Sequence, residues 1–159
     1  VTKATDKGYM KGVSDSFFDP YAKVRRSETA QVLFNMSGAK ATAFKNQFTD
    51  VNEGDWFADA VNWAVRKGIM SGVSKGVFNP NQYITREEFV TALYRYAGKP
   101  KANGNLSKFA DSTDVSADAR NAVRWAVGKN ILQGDSNLCL NPKGYITRAE
   151  LASIIVKYK

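Results

Sequence analysis

The apolar positions of the chain fall into helical stripes separated by long polar loops. One stripe comprises Ala60, Val61, Trp63, Ala64 and Val65, and the next comprises Phe89, Ala92, Leu93 and Tyr96. Such spacing is typical of amphipathic helices, so we predict a first helix over 56–67 and a second one starting at Thr85. Asp55 is the expected N-cap of the first helix and Gly68 its expected stop. The pattern therefore predicts a helix, a loop of about fifteen residues and a second helix.

This helix–loop–helix unit recurs along the chain. The stretch "GIMSGVSKGVFNPNQYITREE" (68–88) aligns without a gap with "NILQGDSNLCLNPKGYITRAE" (130–150) and, more weakly, with "GYMKGVSDSFFDPYAKVRRSE" (8–28). Positions identical in all three copies include Gly12/Gly72/Gly134, Ser14/Ser74/Ser136, Pro20/Pro80/Pro142, Arg26/Arg86/Arg148 and Glu28/Glu88/Glu150. Self-similarity at a fixed period indicates a repeat architecture. We divide the chain into repeats 1–47, 48–108 (with a linker at 97–105) and 109–159.

The first copy is shorter than the other two. Copies two and three open with "FTDV" (48–51) and "FADS" (109–112), whereas the first copy has no counterpart of residues 48–60. We therefore expect the first helix of repeat 1 to be incomplete, as at a fragment boundary.

Composition excludes several classes of function. The chain has no His and a single Cys, which removes imidazole bases, His metal sites and an internal disulfide. No pair of carboxylates recurs outside helix-capping positions, which argues against a glycan hydrolase. We predict no enzymatic activity, no cofactor and no metal. No apolar run approaches the 18 residues typical of a membrane span, so we expect no membrane insertion.

The net charge of +8 is spread along the chain and not concentrated in one segment. The three repeats carry +4, +2 and +2. A nucleic-acid-binding surface usually shows a basic cluster, so we expect no nucleic-acid partner. An anionic polymer that contacts a few separate arginines fits this distribution of charge better.

The motifs "FTDV", Trp56, "GIMSGVSKGVFNP" and "ITREE" resemble the S-layer homology (SLH) domain, as do "FADS" and "ITRAE" in the third copy. The resemblance implies an all-α, pseudo-threefold module in which the second helices form a central three-helix bundle. The first helices and their loops would form prongs. It also implies a bacterial cell-surface location on an exported or S-layer protein.

In that family, grooves between the prongs bind secondary cell wall polysaccharides linked to peptidoglycan, often ending in a pyruvylated amino sugar. The resemblance thus implies a non-catalytic wall-anchoring function. The alternative is a structural self-assembly module that packs against neighbouring surface-protein chains in a lattice.

The similar sequences "YITREEF" (83–89) and "YITRAEL" (145–151) raise the question of which residues serve the fold. Thr85 with Glu88, and Thr147 with Glu150, fit a capping box, whereas Arg25 occupies the Thr position in repeat 1. Arg26, Arg86 and Arg148 follow at the first helical position, where the helix dipole disfavours a cation. They form either surface ion pairs or bidentate contacts to a ligand carboxylate. We predict ligand contact through exposed guanidinium groups.

The loop residues are open to two interpretations. Turn geometry or a close approach of ligand explains the glycines and serines equally well, and the candidates are Gly12, Ser14, Gly72, Val73, Ser74, Gly134 and Ser136. Trp56, at the expected first turn of a helix, is either packed under a loop or exposed as a platform for a sugar ring. Trp63, Trp125 and Cys139 are expected in the core.

We expect the three grooves to be unequal. The second copy alone combines a complete first helix, Trp56, the "GVSKG" loop and a capped second helix. The best groove is therefore predicted to bring Trp56 together with the loop of the second copy.

Overall fold

A computed structural model describes residues 1–14, 17–45 and 47–159. Within these residues the chain is helical and contains no strand beyond isolated β-bridges, which confirms the prediction of an all-α fold. The helices are α1 (Thr2–Asp6), α2 (Arg26–Ser37), α3 (Ala58–Arg66), α4 (Arg86–Tyr96), α5 (Arg120–Gly128) and α6 (Arg148–Tyr158), with a 3₁₀ turn at Ser112–Asp114. None of the described helices is long and apolar enough to cross a bilayer.

The second helices of repeats 2 and 3 start at complete capping boxes. Thr85 Oγ1 accepts from the Glu88 amide at 3.3 Å, and the Glu88 carboxylate accepts from the Thr85 amide at 2.8 Å. Thr147 and Glu150 repeat both contacts. In repeat 1 the Glu28 carboxylate accepts from the Arg25 amide at 2.7 Å, but a guanidinium offers no acceptor for the other half. The predicted structural role of Thr and Glu is confirmed.

The first helix of repeat 2 starts later than predicted. It begins at Ala58, so Trp56 lies in the preceding turn. Asp55 does not cap α3; its carboxylate accepts from the Asn52 amide at 2.8 Å and closes that turn. The helix is followed by Gly68 at φ +67°, a conformation that glycine adopts without strain.

Main-chain hydrogen bonds join the three repeats in a closed ring. The amide of Val24 donates to Ile146 O at 3.0 Å, that of Ile146 donates to Ile84 O at 3.1 Å, and that of Ile84 donates to Val24 O at 2.9 Å. These side chains occupy equivalent positions in the three repeats and are at most 1% exposed. The ring therefore closes over the apolar centre of the molecule.

A second cycle satisfies the free amides at the helix starts. The amide of Arg26 donates to Gln82 O, that of Arg86 to Gly144 O and that of Arg148 to Ala22 O, each at 2.9 Å. The first amides of a helix have no partner within it, and here the loop of another repeat supplies one. Each second helix thus depends on a neighbouring repeat for its start.

Helices of different repeats pack in pairs. Helix α3 packs on α2, α5 on α4, and α1 on α6. The five-residue helix α1 of repeat 1 thus packs against repeat 3. The central residues Leu33, Leu93 and Ile155 are fully buried, as are Phe89 and Leu151.

Two tryptophans lie in the core as expected, with Trp63 5% and Trp125 3% exposed. Cys139 does not, since it is only partly buried. The predicted linker is not free of the fold, because the Gly104 amide donates to Arg124 O of α5 at 3.1 Å.

Candidate functional site

The long loops are held by the aspartate of the opening motif. Asp50 accepts from the amides of Phe78 at 2.9 Å and Asn79 at 2.6 Å. In repeat 3, Asp111 accepts from the equivalent amides of Leu140 and Asn141 at 2.8 and 2.6 Å. A carboxylate that accepts two amides fixes the loop just before its proline, so the loop presents a defined surface.

The repeated glycines are explained by close packing and not by a positive φ. Gly12, Gly72 and Gly134 all have ordinary φ values. A Cβ on Gly72 would lie 2.7 Å from Val77 O and 2.8 Å from the Phe48 ring. A side chain at this position would therefore collide with the loop itself.

The repeated arginines lie between repeats, with Arg26 and Arg148 buried and Arg86 partly buried, which contradicts the expectation of exposed side chains. Arg148 is 7% exposed, and its Nε donates to Phe18 O at 2.9 Å. One terminal nitrogen donates to Lys11 O, and the other contacts the Glu28 carboxylate at 3.2 Å. The Arg148 guanidinium therefore joins repeat 3 to the loop and second helix of repeat 1.

The other two arginines make equivalent contacts around the molecule. Arg86 Nε donates to Leu140 O at 2.9 Å, and its Nη1 lies 2.7 Å from Glu150 Oε1. Arg26 donates to Phe78 O at 2.9 Å and to Ser71 O at 2.6 Å. Burial lowers the pKa of Arg26 from its ordinary value, and the nearby carboxylates of Glu88 and Asp50 oppose that shift.

Two open clefts lie between the loops. We call cleft 1 the space of about 430 Å³ lined by Lys11, Gly12, Gln31, Trp56 and Arg148, together with Tyr9, Val24, Glu28 and Asn35. Trp56 is 64% exposed, and its ring meets Phe57 edge-on at 5.2 Å between centroids. Cleft 1 therefore combines an exposed indole from repeat 2 with polar groups from repeats 1 and 3.

Cleft 2 is the equivalent space one repeat further on. It measures about 480 Å³ and is lined by Arg26, Gly72, Thr91, Asp118 and Lys143, together with Ser71, Val73, Glu87, Glu88, Arg95 and Ser116. Asp118 precedes helix α5 by the same interval as Trp56 precedes α3. Cleft 2 thus has a carboxylate where cleft 1 has an aromatic ring.

A buried carboxylate ties the walls of cleft 2 together. Glu87 is 5% exposed and accepts from Ser116 Oγ at 2.7 Å, from the Ser116 amide at 3.0 Å and from Lys143 Nζ at 2.5 Å. Burial raises the pKa of Glu87, but the hydrogen bonds from Lys143 and Ser116 outweigh it, and the pKa lies below its ordinary value. The hydrogen bond to Glu87 raises the pKa of Lys143.

The predicted site residues are divided between these clefts. Gly12, Trp56 and Arg148 line cleft 1, while Arg26, Gly72 and Val73 line cleft 2. The remaining predicted residues line neither cleft: Arg86, Ser14, Ser74, Gly134 and Ser136. The expected pairing of Trp56 with the loop of the second copy is wrong, because Trp56 faces the first loop.

The polar side chains Gln31 and Asn35 of cleft 1 and the Glu87 carboxylate of cleft 2 were not predicted from the sequence. Gln31 donates to Asn35 Oδ1 at 2.9 Å on the side of α2 that lines cleft 1, and both side chains differ from their counterparts Thr91 and Arg95. Glu87 stands at the one internal position where "YITREEF" and "YITRAEL" differ, which was an available signal.

A comparison with known protein families identifies the family of this chain. The family model described as "S-layer homology domain" matches residues 47–90 and 108–152. The chain belongs to the S-layer homology domain family. The matched ranges are repeats 2 and 3 of this SLH chain. Repeat 1 is recognised by its place in the hydrogen-bond cycles that join all three repeats.

Relatives of this SLH chain are much longer proteins. The exoglucanase XynX of Acetivibrio thermocellus is 33% identical over 150 residues, which are 92% of this chain and 14% of that protein. The surface-layer 125 kDa protein of Lysinibacillus sphaericus is 32% identical over 157 residues, 97% of this chain and 13% of that protein. The cellulosome-anchoring protein of A. thermocellus is 28% identical over 159 residues, 92% of this chain and 34% of that protein. The SLH chain therefore spans between 13% and 34% of these relatives' length.

Proposed function

We propose that the chain is a non-catalytic module that anchors a larger protein at the bacterial cell surface by binding an anionic secondary cell wall polysaccharide. Relatives named as an exoglucanase, a surface-layer protein and a cellulosome-anchoring protein match along nearly all of this chain. Proteins with such different names would share a need for attachment to the cell surface. The SLH stretch is the part they share with this chain.

Cleft 1 is the favoured binding site, and the exposure of Trp56 is the observation that carries this choice. An indole that is 64% exposed offers an apolar face against which a pyranose ring can stack. Gln31 and Asn35 on α2 stand on the opposite wall and offer amide donors and acceptors to sugar hydroxyls. Carbohydrate recognition needs this combination of a flat ring with polar groups.

Arg148 supplies the positive charge of cleft 1. Three of its five N–H donors are used by Phe18, Lys11 and Glu28, so two remain for a ligand. A pyruvate ketal on the terminal sugar carries a carboxylate that suits those donors. The guanidinium then has a double role, since the same group that joins the repeats also meets the ligand.

Isothermal titration with purified wall polysaccharide tests this function. We expect one saccharide chain bound per SLH chain, with an affinity that falls as salt rises, because exposed charges are screened over about 8–10 Å. Polymer stripped of pyruvate should compete poorly. Trp56→Ala should weaken binding about tenfold or more without a change in thermal midpoint, and exposed Tyr21→Ala serves as the matched control.

Two outcomes would contradict the proposal. Full-strength binding by Trp56→Ala would remove cleft 1 as the site. Chain self-association in sedimentation without any retention on purified walls would favour the lattice-packing alternative.

A further inference from the structure

A pair of tyrosines stands exposed on the face where the three repeats meet. Tyr83 and Tyr145 are 38% and 48% exposed, and their rings lie 5.7 Å apart at 58°. Lys23 is the equivalent residue of repeat 1. Each of the three directly precedes a member of the buried ring Val24, Ile84 and Ile146. Successive side chains of an extended segment point to opposite sides, so these three point outward.

Two cations lie over these rings. Lys23 Nζ is 4.9 Å from the centre of the Tyr145 ring and 5.6 Å from that of Tyr83, and Arg25 Cζ is 6.0 Å from the Tyr83 ring. Within the described part of the chain, neither cation forms an ion pair with a carboxylate. We call Lys23, Arg25, Tyr83 and Tyr145 the axial platform.

The core and the main chain beneath the axial platform do not depend on it. The apolar layer beneath it is complete, because Val24, Ile84 and Ile146 are at most 1% exposed. The main chain is already fixed by the bridges Lys23↔Thr147, Arg25↔Tyr83 and Thr85↔Tyr145. Aromatic rings beside cations form a surface suited to a ligand that has both an apolar ring face and a negative charge.

The axial platform and cleft 1 share one segment of main chain. Val24 lines cleft 1 and lies in the chain between Lys23 and Arg25. The side chain of Val24 points to the opposite side of this segment from those of Lys23 and Arg25, so a ligand has to extend past the edge of the segment to touch both the cleft and the platform. An anionic polysaccharide has the required length, sugar rings and charge, whereas the two cations disfavour a basic or purely apolar protein partner.

We propose that the axial platform is a second contact site for the same anionic polysaccharide, at sugars further from the terminus than those in cleft 1. This proposal rests on the proposed function. Two linked contacts on one polymer strengthen binding more than either contact alone, because the second forms within the complex. A short terminal fragment reaches cleft 1 only.

The test compares two probes from one preparation, the long wall polysaccharide and a terminal disaccharide cut from it. We expect Tyr83→Ala/Tyr145→Ala to weaken binding of the long polymer fivefold or more and to leave disaccharide binding unchanged. The Phe/Phe double variant keeps the rings and should bind normally. Lys23→Gln should weaken long-polymer binding, while Lys101→Gln on the exposed linker should not.

The outcomes separate the platform from the cleft. Unchanged long-polymer affinity in the Ala/Ala variant, with the thermal midpoint retained, would overturn the axial platform while leaving cleft 1 in place. Equal weakening for both probes would also overturn it, since the tyrosines would then act through cleft 1. Failure of the unaltered chain to bind either probe would remove the proposed function and the platform together.

Discussion

Clefts 1 and 2 share one backbone plan but differ in the side chains that line them. Both lie beside a buried arginine from another repeat, Arg148 in cleft 1 and Arg26 in cleft 2. Cleft 1 has the exposed indole of Trp56, whereas cleft 2 has Asp118 at that place and the buried carboxylate of Glu87 across its walls. The arginines therefore serve the architecture of both clefts, and we propose that the variable positions decide which cleft suits a sugar.

The arginines beside the clefts have a stabilising role. A cation at the first position of a helix is disfavoured by the dipole, yet each of the three donates to a main-chain carbonyl of another repeat. Those carbonyls belong to Phe78, Leu140 and Phe18, which precede the loop asparagine or aspartate. The recurrence of arginine is explained by assembly of the three repeats before any ligand is considered.

The largest effect is expected from Arg148→Ala. The change leaves the Phe18 and Lys11 carbonyls and the Glu28 carboxylate without their charged donor. We expect a loss of about 2–4 kcal/mol in the free energy of unfolding. Urea denaturation measures it, and exposed Arg120→Ala on α5 serves as the control. A loss below about 0.5 kcal/mol, the range of a surface substitution, would show that the arginine contacts do not hold the repeats together.

A smaller effect is expected from Glu87→Gln, which tests the feature peculiar to cleft 2. The substitution removes the charge that binds Lys143 and Ser116 but keeps the size of the side chain. We expect a loss of about 1–3 kcal/mol near neutral pH.

The pH dependence of that loss has a defined sign. Because the pKa of Glu87 is lower when folded, its contribution is present above the ordinary value of 4.5 and disappears as pH falls through the lowered value. Urea midpoints measured from pH 7 down to pH 3 should therefore converge for the two proteins. Parallel curves over that range would contradict the role given to this carboxylate.

Much of the fold follows from the sequence because its signals are local. The capping boxes at Thr85 and Thr147 and the core positions of Trp63 and Trp125 depend on nearby residues and periodicity. The site was harder to predict because each cleft draws on three repeats at once. The position of Trp56 beside Gly12, and the burial of Arg148 against Phe18, arise from cyclic packing that one repeat cannot reveal.

Asp118→Trp would give cleft 2 an aromatic ring like that of cleft 1, and so tests whether the indole distinguishes the two clefts. Asp118 is exposed, so the fold should tolerate the change, and Arg26 already lines that cleft. We expect titration with the terminal disaccharide to show a second site within about tenfold of the affinity of the first. Asp118→Ala is the control for loss of charge alone. If the Trp variant still binds one saccharide, the indole is not what distinguishes the clefts.

The smallest effect concerns the start of helix α2, where repeat 1 differs from the other two. Arg25 occupies the N-cap and cannot accept a hydrogen bond from the third amide of the helix, although Glu28 already bonds the Arg25 amide at 2.7 Å. Arg25→Thr would complete the box as at Thr85, where Oγ1 accepts from the Glu88 amide. We therefore expect a gain of about 0.5–1 kcal/mol in the free energy of unfolding, at the lower end of what such caps contribute. Arg25→Val, which has a similar shape and no hydroxyl, separates the cap from the removal of a charge. A gain of equal size in the valine variant would mean that charge repulsion, and not the missing cap, weakens this helix start.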